Sequence, residues 1–242
     1  MRIVVISATS VIAQACVKVW AGSGDHEFVL VGRSEERIEA TSRDLELRFP
    51  SSKFASELVD FSSSKSMAGL VATLGKKSID LVLVAQGSLT DQVKASTDLG
   101  YLKAELELNA VSASVIAEAF AGVLEAQGYG TLGVIGSVAG DRGRAYNYSY
   151  GASKALLETY TQGLQQRFGS TAIKVCLIKP GPTATPMTEG HKGAMTDPNV
   201  VARAIVRGLT AGRRVIYAPA IWRAIMFLVR NIPFSIFKKL KF

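Results

Sequence analysis

Ile3-Val4-Val5-Ile6-Ser7-Ala8-Thr9-Ser10-Val11-Ile12-Ala13 is the stretch on which the fold turns. Ile3–Ile6 is a continuous β-branched run with no polar face, so it reads as a strand buried on both sides. Beyond Ser10, the apolar residues Val11, Ile12, Ala15 and Val19 fall at helical spacing. A doubly buried strand that passes through a short hydroxyl-rich turn into an amphipathic helix opens a strand–helix–strand unit. Such units need right-handed crossovers and a parallel sheet covered on both faces.

The alternation continues along the chain. Strands are predicted at Glu27–Val31, Phe54–Val59, Ile79–Ala85, Thr131–Ile135, Ile173–Ile178 and Val215–Ala218. Helices are predicted to about Ser23, then at Glu35–Phe49, Ser62–Lys76, Leu99–Gln127, Tyr150–Phe168 and Asn199–Ala211, with a Pro- and Gly-rich loop over 180–198. No linker interrupts residues 1–218. The expectation is one α/β domain, a doubly wound parallel sheet of about seven strands, followed by a tail at 219–242. In such sheets ligands bind beyond the carboxyl ends of the strands, near the switch point, so the informative residues should follow strands.

Composition narrows the class. The chain has 242 residues, of which 48% are apolar, 20% charged and 8% aromatic, too apolar for a disordered chain. Cys16 and Cys176 cannot make a disulfide framework and have no metal-ligand spacing; they read as buried reduced thiols. His26 and His191 lie far apart, and no metal site is expected. The opening residues are broken by Ser7, Thr9 and Ser10 and do not read as a signal peptide, which suits a cytoplasmic protein. No run of about 18 apolar residues offers a spanning helix.

The net charge is +8, and residues 219–242 hold five cations and no acid, leaving only +3 for residues 1–218. Those cations, Arg223, Arg230, Lys238, Lys239 and Lys241, are interleaved with Trp222, Ile225, Phe227, Leu228, Phe234 and Phe237. That mixture fits peripheral contact with the inner face of a membrane better than a nucleic-acid stripe, and no nucleic-acid partner is expected. A dimer-interface helix or a lid over the site are the alternatives for the same residues.

The chemistry concentrates around Tyr150-Gly-Ala-Ser-Lys154. Tyrosine and lysine at i and i+4 share one helix face, so phenol and ammonium can enter one cleft. A free phenol titrates near 10, and an adjacent ammonium is expected to pull it toward working pH. Alone the spacing is common. Its position raises its weight, because the strand ending at Ile135 is followed by Gly136-Ser137, thirteen residues before Tyr150. Asn109 lies in mid-helix, where an amide is unfavourable without a tertiary role; on its own it would be an ordinary solvated residue, as Ser137 would be a strand-end cap.

Together, Asn109, Ser137, Tyr150 and Lys154 resemble the tetrad of the short-chain dehydrogenase/reductase family, and the likeness extends over residues 1–218. It implies a Rossmann-like fold and reduction of a ketone with a nicotinamide cofactor. Tyr150 would exchange the proton with the substrate oxygen and Ser137 would orient that oxygen. Lys154 would acidify the tyrosine and hold the nicotinamide ribose, and Asn109 would fix a water in the proton relay. Ala85-Gln86-Gly87 resembles the family's Asn-Ala-Gly with Ala85 in place of the asparagine. Pro180-Gly181-Pro-Thr183-Ala-Thr185 resembles its Pro-Gly-x-x-x-Thr, and Asp60-Phe61 its adenine contact; a strand-end cap explains Asp60 nearly as well.

At the phosphate turn, Ser7, Val11 and Ala13 stand where the family has glycines, and Val11 is the substitution expected to strain the turn most. Thr9, Ser10 and the free N–H groups near Ile12 can still bind anionic oxygen. Arg33, with Ser34, follows the second strand where an acid would favour NAD, so NADP(H) is expected over NAD(H). The ending of the chain, with Ser137–Arg142, is similar to the family's decaprenylphosphoryl-2-keto-erythro-pentose reductase branch. That likeness implies a polyprenyl-phosphate-linked keto-sugar used in cell wall biosynthesis, with Arg142, Arg144, Lys179 or His191 meeting phosphate. A small-molecule ketone or acyl substrate, or a non-catalytic nucleotide-binding module, are the other readings. The family's dimers and tetramers commonly use the two long helices, so a homodimer or homotetramer is expected.

Overall fold

The computed structural model describes residues 1–189 and 193–240. Seven parallel strands form one sheet in the order β3-β2-β1-β4-β5-β6-β7. They are β1 (Arg2–Ile6), β2 (Glu27–Gly32), β3 (Lys53–Leu58), β4 (Leu81–Val84), β5 (Tyr129–Ile135), β6 (Ala172–Pro180) and β7 (Val215–Ala218). β1 pairs with β2 on one side and β4 on the other, so the chain reverses direction across the sheet at β1/β4. The crevice beyond Ile6 and Val84 is the switch point that doubly wound sheets use for ligands.

The β-branched runs are buried as their lack of a polar face requires: Ile3, Val4, Val5 and Ile6 are fully enclosed. Helices α1 (Val11–Ala21), α2 (Glu35–Arg48) and α8 (Pro198–Thr210) cover one face through Cys16, Trp20, Ile38, Leu45, Val201 and Ile205. Helices α3 (Ser64–Leu74), α6 (Ser112–Gln127) and α7 (Tyr148–Arg167) cover the other through Met67, Leu70, Ile116, Phe120, Leu157 and Leu164. Both cysteines are buried and free, and burial pushes their thiols up, that of Cys176 to about 11.

Two predicted elements differ, and one helix is added to them. Ile79 lies outside β4 because the Gln127 amide takes both its backbone groups, accepting from its N–H at 2.8 Å and donating to its carbonyl at 2.9 Å. The segment before Leu99 contains a further helix, α4 (Gln92–Thr97), whose N-terminus Asp91 caps by accepting from Val93 and Lys94. The predicted helix over Leu99–Gln127 is two helices, α5 (Leu99–Leu106) and α6, joined by a π-helical turn at Glu107–Val111. Gly122 does not interrupt it. Leu99–Gln127 is also long and apolar enough to cross a membrane by composition, yet half of it is buried against the sheet. π-Turns recur at functional sites because they re-aim one side chain, and here that side chain is Asn109.

The tail forms α9 (Ile221–Asn231) and α10 (Phe234–Phe237). Arg142 fastens it: its guanidinium donates to the carbonyls of Val229, Arg230 and Ile232 and sits 3.7 Å from the Phe237 ring centroid. Arg142 is therefore a tail anchor and not the expected phosphate ligand. Lys179 is not one either. It is 1% exposed and bonded to the fully enclosed Asp141 and to Glu158 at 2.7 Å. His191 and Lys241 lie outside the described residues.

Candidate active site

Two adjoining cavities, of about 470 and 400 Å³, open along the carboxyl edge of the sheet and share Ser10, Ile12, Ala85, Gln86, Gly87 and Thr185. The first is built on the turn after β1. Ser7 takes a left-handed φ of 58°, and its carbonyl accepts from Ser10 N–H at 2.9 Å. The turn thus keeps a glycine-like shape without glycine, and the unfavourable dihedral falls on Ser7. Val11 is the first residue of α1 and needs no unusual backbone, so the expectation that it carries the strain is corrected. A left-handed non-glycine residue costs about 1–2 kcal/mol. Ser7→Gly is expected to raise the unfolding free energy by about 1 kcal/mol. Its thermal midpoint should rise by about 2–4 °C, and a midpoint unchanged or lowered would show that the serine side chain compensates.

The N-terminus of α1 faces this cavity with no capping side chain and no acid in its first turn. Its first N–H groups are free for an anion. Thr9 and Ser10 add hydroxyls, Phe61 an apolar wall, and Arg33 and Ser34 follow β2. Arg37, in the first turn of α2, is a second cation that the sequence reading missed; only its spacing from Arg33 signals it. Gln86 donates to Ser112 at 2.5 Å while its buried Oε1 has no partner among the described residues. Anion donors at one end, two arginines beyond and an unused acceptor toward the centre fit a nicotinamide dinucleotide phosphate. Asp60 is not part of this cavity. It is exposed, and its carboxylate accepts from the Ser62 N–H and hydroxyl, which also hold it below the usual carboxylate range.

The second cavity contains Ser137, Tyr150 and Lys154, with Pro180, Gly181 and Thr183 on the loop after β6. The Thr183 hydroxyl donates to the Gly181 carbonyl at 2.9 Å and so shapes this loop. Ser137 caps the short 3₁₀ turn Val138–Asp141 by accepting from Ala139 N–H, and its hydroxyl also bonds the Tyr150 phenol. α7 is brought close to this turn by Gly151, where a Cβ would lie 2.9 Å from the Ala139 carbonyl oxygen. Gln92 of α4 clamps the start of α7, accepting from Ser149 N–H at 2.8 Å and donating to its hydroxyl at 3.0 Å. The unforeseen α4 is thus a cap for the helix that presents Tyr150.

Electrostatics here reverse one expectation. Burial raises the Tyr150 phenol above its ordinary value, outweighing the Ser137 bond. The Lys154 ammonium donates to the carbonyls of Gln86 and Ile135 at 3.3 and 3.4 Å and stands 5.7 Å from the Tyr150 ring centroid. Burial lowers it to about 8. Desolvation dominates both groups, so the phenol sits above its ordinary value despite the nearby ammonium. Asn109 is fully enclosed and reaches neither cavity wall. Its Oδ1 accepts from Ser88 N–H at 2.8 Å, and its amide donates to Glu105 at 3.2 Å. It fixes the Gly87–Ser88 turn, where Gly87 has φ 148° and a Cβ would meet Asn109 Oδ1 at 2.8 Å. Asn147, Arg144 and Trp222 also line this cavity, and the buried Oδ1 of Asn147 has no partner among the described residues.

A doubly wound sheet with an anion-binding turn running into a Ser–Tyr–Lys group defines a nucleotide-dependent oxidoreductase. A family model described as short chain dehydrogenase matches residues 1–195. An uncharacterized oxidoreductase of Streptomyces coelicolor, from the mprA 5' region, is 30% identical over 243 residues, covering 98% of this chain and 95% of that protein. An uncharacterized oxidoreductase of Mycobacterium tuberculosis is 32% identical over 176 residues, 72% of this chain and 70% of that one. A solved short-chain dehydrogenase from Sphingobium yanoikuyae in complex with NADPH shares the fold with a TM-score of 0.83 at 22% identity, covering 97% and 98% of the two chains. The chain belongs to the short-chain dehydrogenase family.

Proposed function

We propose that the protein is an NADP-dependent ketoreductase. The observation that carries this reading is the continuity of the arginine-flanked cavity with the one that holds the bonded Ser137–Tyr150 pair over Lys154. The reduced cofactor, when bound, supplies the hydride. Tyr150 gives its phenolic proton to the carbonyl oxygen as that oxygen gains charge, and Ser137 orients the same oxygen by hydrogen bonding. Lys154 stabilises the phenolate left behind. The NADPH held by the Sphingobium structure supports the cofactor class. The two arginines, with Arg33 standing directly after β2 in place of an acid, support the phosphate-bearing form. The Ser7 turn keeps its shape, which weighs against a module that has lost its nucleotide.

Tryptophan quenching measures this directly. Arg33→Ala is expected to weaken NADPH about tenfold while leaving NADH within about twofold. Equal loss for both would remove the 2′-phosphate role from Arg33.

For the substrate we infer a ketone that joins apolar and anionic parts, as in a polyprenyl-phosphate-linked keto-sugar. Leu89, Val138, Met187 and Trp222 supply apolar walls, and Arg144 is the cation besides Lys154 among the described lining residues. Turnover of such a substrate in detergent, set against short water-soluble ketones, tests the inference; faster reduction of the short ketones would favour the soluble-substrate reading. The exposed Val111, Val115, Leu156 and Tyr160 on the outer side of the π-turn, α6 and α7 support a homodimer or homotetramer, which sedimentation equilibrium measures.

A further inference from the structure

The described tail meets the domain through a small part of its apolar surface. In α9 only Met226 is buried, with Trp222, Ile225 and Val229 half-buried beside it. On the opposite side, Ile221, Ala224 and Leu228 follow each other at i, i+3 and i+7, with Phe227 alongside. Phe227 is 69% and Leu228 67% exposed, and α10 adds Phe234 at 73% together with the exposed Ile236. Isolated exposed apolar residues are ordinary, but a row of large ones on two consecutive helices is not.

The exposed charges around this row have one sign, and the acid that comes near them is Asp141, its side chain buried, 3.9 Å from Arg230. Arg223 and Arg230, seven residues apart, line one flank of α9, and Lys238 and Lys239 follow α10, all four exposed. After Asp197 the chain contains no acid at all, against nine lysines and arginines. A second copy brought face to face on this surface would oppose cation to cation, which an isologous contact does not tolerate well. A bilayer with anionic headgroups takes both features at once: phenylalanines and leucines below the headgroups, cations level with the phosphates.

We propose that α9 and α10 dock the protein on an anionic lipid surface. Trp222 gives this a second consequence. The residue after the exposed Ile221, it lines the catalytic cavity, and its indole lies where a Cβ on Gly181 would fall, 1.9 Å from Nε1. One wall of the cavity therefore belongs to the docking element, and Arg142 ties the far end of α9 to the 3₁₀ turn that follows Ser137. The docking stands on the exposed surface alone. It rests on the ketoreductase reading only in giving a lipid-borne ketone a route to Tyr150.

Flotation with vesicles tests it without reference to turnover. The full chain should float with vesicles of phosphatidylcholine containing phosphatidylglycerol, and less so as salt is added. Phe227→Ser with Leu228→Ser, and separately Arg223→Glu with Lys238→Glu, should each weaken vesicle binding by about tenfold or more. Unchanged circular dichroism and unchanged reduction of a water-soluble ketone would confirm that both variants are folded. No flotation, equal flotation with pure phosphatidylcholine, or variants that still bind vesicles while changing oligomeric mass would each overturn the proposal. Loss of ketone reduction by the unaltered chain would count against the ketoreductase reading and leave the docking result standing.

Discussion

Tyr150→Phe is expected to lower the rate of ketone reduction by about 10²–10⁴-fold while leaving NADPH binding within about twofold. The ring stays to pack against its neighbours, and the only group removed is the hydroxyl bonded to Ser137. The cavity with the anion-binding turn does not include this residue, which is why binding should survive. Turnover within twofold of the unaltered protein would take the proton donor away from Tyr150. The pH profile adds an internal check. Tyr150 is raised by burial, so it stays protonated well beyond neutrality, whereas Lys154 titrates at about 8. The reduction rate should therefore fall as pH rises through about 8, through loss of the ammonium and not of the phenol. The sign for stability is the opposite: folding depresses the lysine, so the unfolded chain binds more protons between about 8 and 10.5, and Lys154 destabilises less as pH rises across that window.

Lys179→Met should cost about 3–5 kcal/mol of stability, because it strands a carboxylate that has no access to water. Asp141 and Lys179 are 0% and 1% exposed at the side chain, and Glu158 completes the cluster at 17%. Burial alone would lower the lysine, but its bonds to Asp141 and Glu158 prevail and raise it. In the unaltered protein this contribution is complete below the ordinary lysine value and is lost only as pH climbs through the raised one. Denaturant midpoints across pH measure both effects. Lys179→Met with Asp141→Leu should recover part of the loss, since removing both charges removes the stranded one. A double variant no more stable than the single one would locate the cost elsewhere.

The sequence made the sheet and most of the site legible, for a physical reason. Period and burial are written in side-chain type, so Ile3–Ile6 announces a central strand, and Tyr150 with Lys154 announces a shared helix face. What stayed hidden depends on partners distant in sequence. Nothing local shows that Gln127 will take Ile79 out of its strand, or that Gln92 will cap α7 fifty-seven residues away. Arg142 and Lys179 resemble surface cations until the acids and carbonyls that meet them are known. The turn after β1 misled in another way: family likeness pointed to Val11, but the dihedral that needed relief belonged to Ser7. The pKa direction of Tyr150 was inferred from one neighbour, while desolvation in the cavity wall decided it.

The π-turn at Glu107–Val111 makes one stretch of this chain intolerant of changes in length. The turn holds one residue more than an α-turn, so dropping one there would restore regular winding and take Asn109 out of the place the wide turn gives it. Asn109 would then leave Glu105 and the Ser88 N–H, and the Gly87–Ser88 turn would lose its support. Asn109 and Ala110 are buried in it, so this turn is constrained in the number of its residues as well as in their identity.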